Sequence, residues 1–150
     1  MSVKRMSVAE EANFISSKKV GVSEFAAYAK QCGIRTENLP ILLISANINK
    51  ARAYFDVCKE LSPVDEFIVL ATEREGLLRR YIKRHQLSSG TMIMLIKMGC
   101  NDLVRQYIEL YPLDVEAQTR LIEEEVPELH ELYAQKWGGF DFEAISIAIV

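Results

Sequence analysis

Apolar residues recur along this chain at the spacing of one face of an α-helix. The two clearest segments are Phe25, Tyr28, Ala29 and Cys32, and Val104, Tyr107, Ile108 and Tyr111. Positions i, i+3, i+4 and i+7 belong to an amphipathic helix, whereas a strand alternates every second residue. Glycine and proline interrupt this pattern at short intervals. The sequence therefore predicts many short helices.

Five of the six tyrosines are evenly spaced and define an internal repeat. They are Tyr28, Tyr54, Tyr81, Tyr107 and Tyr133, separated by 26, 27, 26 and 26 residues. An apolar residue, the anchor, stands twenty residues before each one, and the anchors are Val8, Ile34, Leu61, Leu87 and Leu113, with Phe140 beginning a sixth copy. Periods of about 20 to 50 residues are typical of repeat architectures. We expect the tyrosines to pack between repeats, with their hydroxyl groups bonded to a backbone carbonyl or to water.

The residues that follow each anchor predict where the helices begin and end. Helix-capping side chains directly after the anchor are Ser62, Ser88, Asp114 and Asp141. Such side chains accept hydrogen bonds from the amide groups of a first helical turn. The column fifteen residues past the anchor predicts the cap of a second helix, and it contains Ser23, Asn49, Gly76, Asp102 and Glu128. Gly33, Pro112 and the pair of Gly138 and Gly139 are predicted to end the second helices.

Each repeat is thus a helix, a tight turn and a second helix, and the chain is predicted to be an all-α protein built as an α-solenoid. The predicted repeats are 8–33, 34–60, 61–86, 87–112 and 113–138, with a half repeat at 139–150, in a single domain of 1–150. One helix pair cannot bury its apolar face alone, so neighbouring pairs stack.

This architecture resembles that of HEAT-like repeat proteins and leucine-rich-repeat variant proteins. The resemblance covers residues 8–150 and is architectural, so it assigns no role to any residue of this chain. Leucine-rich-repeat variant proteins are associated with a cysteine-held iron–sulfur cluster, and this sequence lacks the clustered cysteines that such a cluster needs. The resemblance implies a surface that binds another macromolecule.

Composition places the chain among ordinary globular domains. Its 150 residues are 49% hydrophobic and 26% charged, which is enough for a core without a metal or a disulfide. No apolar stretch approaches the roughly 20 residues of a membrane span, and no secretory signal follows Lys4 and Arg5. We therefore expect no membrane partner and a cytoplasmic location. Cys32, Cys58 and Cys100 form no Cys-x-x-Cys pair and are predicted to be reduced, structural thiols.

The sequence contains no recognisable catalytic motif, and we expect no enzyme activity, no metal and no cofactor. It has no His-Glu-x-x-His, Gly-x-Ser-x-Gly or P-loop string. His85 and His130 fall in columns that are mostly apolar or aromatic in the other repeats, which predicts structural imidazole rings. The alternative is an enzyme centred on His130 with the nearby carboxylates of Glu124 and Glu128.

Charge is distributed unevenly along a chain whose net charge is −3. The net charge is +2 in residues 1–33, −5 in residues 113–138 and −2 in residues 139–150. Arg52, Arg79 and Arg105 each stand two residues before a tyrosine, and we expect them to form a ladder along one face of the second helices. With the flanking cations they give a candidate site for an acidic protein partner at Arg52, Arg79, Arg80, Lys83 and Arg105, with Arg84 beside it.

Two alternatives to a protein partner remain open for these cations. A nucleic acid is the less favoured ligand, because the chain is acidic overall and no exposed aromatic residues interleave the arginines. The side chains could also simply cover their own helices while their charged heads stay in water.

The last predicted helix is apolar on nearly every side, although a terminal repeat normally has a polar outer face. Either it inserts under the preceding helix pair, or it forms a homo-oligomer interface through Phe140, Phe142, Ile145 and Ile149. Taken together, these features favour a non-catalytic protein–protein interaction module, such as an adaptor, inhibitor or regulatory subunit. A nucleic-acid-binding helical-repeat protein is the second hypothesis.

Overall fold

The computed structural model describes residues 4–44 and 48–149, with side chains up to residue 145. Within these residues the regular elements are all helical and no strand occurs, which confirms the predicted all-α class. The chain divides into two compact units, Met1–His85 and Gln86–Val150. The single domain of 1–150 stays a prediction.

The first unit contains three helix pairs. Their bounds are α1 (Val8–Ser16) and α2 (Val22–Cys32), α3 (Leu39–Ile44) and α4 (Ile48–Val57), and α5 (Pro63–Ala71) and α6 (Leu78–Tyr81). Short 3-10 turns at Thr36–Asn38 and Glu75–Leu77 lead into α3 and α6. The first helices α1, α3 and α5 pack side by side in one row, and the second helices α2, α4 and α6 pack in another.

The second unit repeats this arrangement with five helices. They are α7 (Ser89–Lys97), α8 (Asn101–Leu110), α9 (Val115–Glu123), α10 (Pro127–Trp137) and α11 (Phe142–Ile149). Helix α9 packs against both α7 and α11, and α10 packs against α8. The helix order in both units follows the order of the predicted repeats.

The caps predicted for the first helices are confirmed. Ser62, Ser88, Asp114 and Asp141 each accept a hydrogen bond from the backbone amide three residues further on. These bonds satisfy amide groups that lack a partner inside the first helical turn. Arg35 holds the equivalent position before α3, where no capping side chain is present and a 3-10 turn precedes the helix.

The caps predicted for the second helices are wrong. Helices α2, α8 and α10 begin one residue before the predicted positions, and the residues before them, Gly21, Cys100 and Val126, donate or accept no side-chain capping bond. The predicted column instead supplies the second helical residue. Carboxylates at Asp102 and Glu128 then interact favourably with the positive end of the helix dipole, which explains why polar residues recur there.

Hydrogen bonds between each tyrosine and its anchor explain the spacing of twenty residues. The Tyr81 hydroxyl accepts a bond from the Leu61 amide at 2.8 Å, and Tyr133 bonds both the amide and the carbonyl of Leu113 at 3.2 and 3.3 Å. Tyr54 bonds the backbone of Ile34 in the same way. The tyrosine hydroxyl groups were expected to bond a backbone carbonyl or water. In most of these bonds the partner is instead a backbone amide.

The first repeat departs from this spacing by two residues. The Tyr28 hydroxyl accepts a bond from the amide of Met6 at 3.2 Å, whereas Val8 is exposed in the first turn of α1. Ser7 then caps α1, with Glu10 completing a reciprocal capping box. Met6 thus has the role that the sequence assigned to Val8.

In three repeats, the first helix is followed by a residue in the left-handed backbone conformation. Glu73 after α5 has φ 57°, Gly99 after α7 has φ 77° and Glu125 after α9 has φ 48°. This conformation suits glycine, because a side chain at positive φ crowds the following carbonyl oxygen. Two of these three helix ends therefore hold a glutamate in a strained backbone conformation.

Buried polar side chains join neighbouring repeats in the first unit. Glu11 is fully buried, and its carboxylate accepts bonds from the Tyr28 hydroxyl at 2.6 Å, the Arg35 amide at 2.8 Å and the Asn38 side chain at 3.0 Å. A buried carboxylate needs such donors to offset its lost hydration. The carboxylate thus fixes the start of the second repeat on the first.

Gln118 makes the same connection in the second unit. Its side-chain oxygen accepts a bond from the Asp141 amide at 2.9 Å, and its nitrogen donates to the Leu113 carbonyl at 2.8 Å. Asp141 and Arg35 both directly follow an apolar anchor. At these two joints a buried side chain ties the start of one repeat to the repeat before it, once as a glutamate and once as a glutamine.

Lys50 is a buried cation in a column where other repeats carry the buried leucines Leu77, Leu103 and Leu129. Its ammonium group donates to the carbonyls of Ile15 and Ser17 at 3.0 and 2.9 Å, at the C-terminal end of α1. Burial lowers the pKa of Lys50, and the nearby Glu24 opposes that shift. Lys50 thus adds two hydrogen bonds to carbonyls at the C-terminal end of α1, of which the Ser17 carbonyl also accepts the Val20 amide at 3.3 Å.

Candidate protein-binding surface

The cations of the first unit lie on the outer side of α4 and α6. Ala51, Tyr54 and Phe55 turn the inner face of α4 toward the core, which leaves Arg52 exposed. In the same way, the buried residues of α6 leave Arg79 exposed, with Lys83 exposed just after the helix. We call Arg52, Arg79, Arg80 and Lys83 the basic surface. Three of these predicted site residues thus come from α4 and α6, which pack against each other, and Lys83 comes from the turn after α6.

Part of this positive charge is neutralised within the unit. Arg80 pairs with Asp56 at 2.7 Å, and the two side chains are 40% and 48% exposed. A pair this open to water contributes little to stability, so Arg80 stays available to a ligand. Arg84 donates to the carbonyl of Phe55 at 3.2 Å and so completes the end of α4.

Arg105 belongs to the second unit. It lies on α8 and forms an exposed ion pair with Glu128 at 3.2 Å. A continuous ladder of Arg52, Arg79 and Arg105 stays a prediction.

A cavity of about 360 Å³ lies beside the basic surface, entirely within the first unit. It is lined by Ile48, Arg52, Glu73, Arg74, Gly76, Leu77 and Arg80. Arg52 and Arg80 enter it from helices α4 and α6, and Arg74 enters it from the connection between α5 and α6. Arg74 could not be recognised as a site residue from the sequence, because it is a single arginine in a connection that lies outside the helical columns of the repeat.

Both histidines use a ring nitrogen in a bond to the backbone. His85 Nε2 lies 3.2 Å from the carbonyl of Cys58, and its ring packs on Tyr81 with centroids 5.1 Å apart. His130 Nε2 lies 2.6 Å from the carbonyl of Leu121, and its ring meets Phe140 edge to face. These contacts agree with the structural role expected of the two rings.

Two of the four candidate oligomer residues pack within the chain. Phe140 is half-buried and stacks on Tyr133 with ring centroids 4.9 Å apart, and Ile145 is buried. The burial of Ile145 places it in the core of its own unit, and a part in an oligomer interface stays a prediction for it. Phe142 is 63% exposed. Ile149 lies outside the residues whose side chains the structure describes.

The cysteines form no disulfide, and all three lie within the described residues. Cys58 is buried, and burial raises the pKa of its thiol to about 11 although Arg84 opposes the shift. A thiol with such a pKa is a poor nucleophile at neutral pH.

Across residues 4–44 and 48–149, no three side chains of His, Cys, Asp or Glu are grouped as metal ligands. None of the helices described is long and apolar enough to cross a membrane. Comparison with protein-family models, curated proteins and solved structures finds no match to this chain.

Proposed function

We propose that this protein is a non-catalytic protein–protein interaction module that binds an acidic segment of a partner through the basic surface. The observation that carries the proposal is the placement of Arg52, Arg79 and Lys83, which are exposed on neighbouring elements while the opposite faces of α4 and α6 build the core. Complementary charge of this kind steers association and selects partners. An adaptor, an inhibitor and a regulatory subunit all use such a surface.

The same proposal includes a continuous α-solenoid. Its support is the tyrosine period, which continues at 26 residues from Tyr81 in the first unit to Tyr107 in the second, and the two helix rows inside each unit. Repeat proteins of this type bind partners along an extended surface. The bonds of His85 and His130 to backbone carbonyls support a structural rather than a catalytic use of both rings.

Two further parts of the proposal concern location and self-association. The cysteines without disulfides support a reducing compartment such as the cytoplasm. The exposed ring of Phe142 supports a homo-oligomer through the C-terminal helix. Sedimentation of the wild type and of Phe142→Ser tests the second point, since a dimer that persists in the variant would exclude this ring as its main contact.

Charge reversal tests the basic surface. The double variant Arg52→Glu and Arg79→Glu is expected to lose a partner captured from native lysate, with the helical circular dichroism unchanged. Lys18→Glu and Lys19→Glu form the matched control, because they reverse two exposed charges of the same unit in the turn after α1, outside the basic surface. Equal loss in both double variants would indicate general charge attraction and would contradict the proposal.

Nucleic acid is the competing outcome of the same capture experiment. A nucleic-acid ligand would be sensitive to nuclease and would dissociate steeply with rising salt, because phosphate contacts release counterions. A protein partner is expected to resist nuclease and to remain bound at moderate salt.

A further inference from the structure

We propose that the cavity beside the basic surface is a pocket for one doubly charged side chain of the partner, namely a phosphorylated residue. This inference rests on the proposed function, and it adds a chemical identity to the group that is recognised. The cavity of about 360 Å³ has room for a phosphate group and the side chain that carries it. Its walls come from α4, α6 and the connection between α5 and α6.

The charges in the cavity carry the argument. Among the described residues, the guanidinium groups of Arg52 and Arg74 make no hydrogen bond or ion pair, and both line the same open cavity. Arg80 is the third lining arginine and is partly neutralised by Asp56. Two uncompensated guanidinium groups match a phosphate, which carries about −1.5 to −2 charges at neutral pH, better than a single carboxylate.

The geometry of guanidinium groups supports the same ligand. Each arginine presents a planar set of donors that can bond two phosphate oxygens at once. Ile48 and Leu77 add apolar surface to the cavity, suited to the carbon atoms of a side chain rather than to an isolated ion. A side chain with a charged end and an apolar stem fits both features.

Glu73 lines the same cavity and opposes an anion there. Its carboxylate makes no ion pair with the lining arginines, so its charge is not cancelled locally. Replacement by a neutral isostere should therefore strengthen anion binding. This gives the proposal a gain-of-binding arm that a merely structural cluster of arginines does not predict.

The test uses the intact chain and three capped amino acids, which are N-acetyl-phosphoserine amide, N-acetyl-glutamate amide and N-acetyl-serine amide. Binding is followed by the NMR signals of the arginine Nε–H groups. Phosphoserine is expected to shift the signals of Arg52, Arg74 and Arg80 and to saturate, glutamate to bind more weakly and serine not to bind. Arg74→Gln is expected to weaken phosphoserine binding by about tenfold, and Glu73→Gln to tighten it by about twofold to fivefold.

Two controls separate a pocket from general attraction. Lys83→Gln removes a cation of the basic surface outside the cavity lining, and it should leave phosphoserine binding unchanged. Gly76→Phe fills the cavity without removing charge, because Gly76 has open space around its missing Cβ atom, and it should abolish binding. Should this variant fail to fold, Arg74→Gln carries the test, because it neutralises a surface-accessible side chain without adding bulk.

Three results would overturn the proposal. The first is the absence of a saturable shift with phosphoserine, and the second is an equal weakening of phosphoserine binding by Lys83→Gln and Arg74→Gln. The third is a single-stranded oligonucleotide that competes more strongly than phosphoserine and whose affinity falls equally in the Lys83→Gln and Arg74→Gln variants. The measurement contains no partner protein, so its failure is distinct from failure of the proposed function. If the charge-reversed protein loses its partner but the wild type does not bind phosphoserine, the basic surface is supported as the partner site and the phosphate pocket is rejected.

Discussion

Replacement of Tyr81 by phenylalanine tests the bond that sets the repeat spacing. Tyr81 is fully buried, and its hydroxyl accepts the Leu61 amide at 2.8 Å. The variant removes one oxygen and keeps the ring, so the apolar packing is nearly unchanged. It leaves the buried Leu61 amide without its acceptor, which costs about 1 to 3 kcal/mol of unfolding free energy.

This cost is measurable as a change in melting temperature. For a protein of this size, about 1 kcal/mol corresponds to a fall of about 2 to 4 °C, so Tyr81→Phe should melt about 2 to 12 °C below the wild type by circular dichroism. Amide hydrogen exchange should accelerate at Leu61. Tyr133→Phe is the comparison, and a smaller fall is expected there because its bonds are longer, at 3.2 and 3.3 Å.

The reasoning fails if Tyr81→Phe melts within 1 °C of the wild type. It also fails if the Leu61 amide exchanges at its wild-type rate, since the amide would then have an acceptor other than the hydroxyl. Either result would leave the period of the tyrosines explained by ring packing alone.

Three further predictions concern backbone strain, alkaline stability and thiol reactivity. Glu125→Gly should raise the unfolding free energy by about 0.5 to 1 kcal/mol because it relieves a positive φ, and Gly99→Ala should lower it by about 1 kcal/mol because it introduces a side chain at a positive φ. Urea unfolding measures both changes. Changes of the same sign in the two variants would contradict this explanation. Burial raises the pKa of Tyr28 and of Tyr81 to about 12. The stability that these two side chains contribute is therefore complete below pH 10 and is lost as pH rises from about 10 to 12. Absorbance titration at alkaline pH should show the raised pKa values in the folded protein against an unfolded control. Cys58 should react with iodoacetamide at pH 8 far more slowly in the folded protein than in urea, and equal rates would exclude a buried thiol there.

The repeat and the starts of the first helices could be predicted because both depend on strong, recurring signals. A buried tyrosine hydroxyl needs one partner at a fixed position, so the spacing between Tyr81 and Leu61 recurs in other repeats. A capping residue such as Ser62 acts within three residues of itself. Local chemistry of this kind is readable without knowledge of the tertiary structure.

Features that occur once escaped prediction for a physical reason. Lys50 replaces a buried leucine, and only its contact with the end of α1, more than thirty residues earlier, explains how a cation is tolerated there. Arg74 joins the cavity because a turn places it beside two helices. Met6 replaces Val8 as the donor to Tyr28 because the first repeat is longer before its tyrosine. Each depends on tertiary contacts that no periodic column records.

A paired titration tests whether the basic surface recognises an acidic polypeptide. A fluorescent glutamate-rich peptide and a single-stranded oligonucleotide of equal charge are titrated with the wild type, with Arg52→Glu and Arg79→Glu, and with Lys18→Glu and Lys19→Glu. We expect the peptide to bind the wild type and the lysine variant with the same affinity and not to bind the arginine variant. We expect the oligonucleotide to bind the wild type more weakly than the peptide does. Equal peptide affinity in all three proteins, or preference for the oligonucleotide, would contradict the proposed recognition.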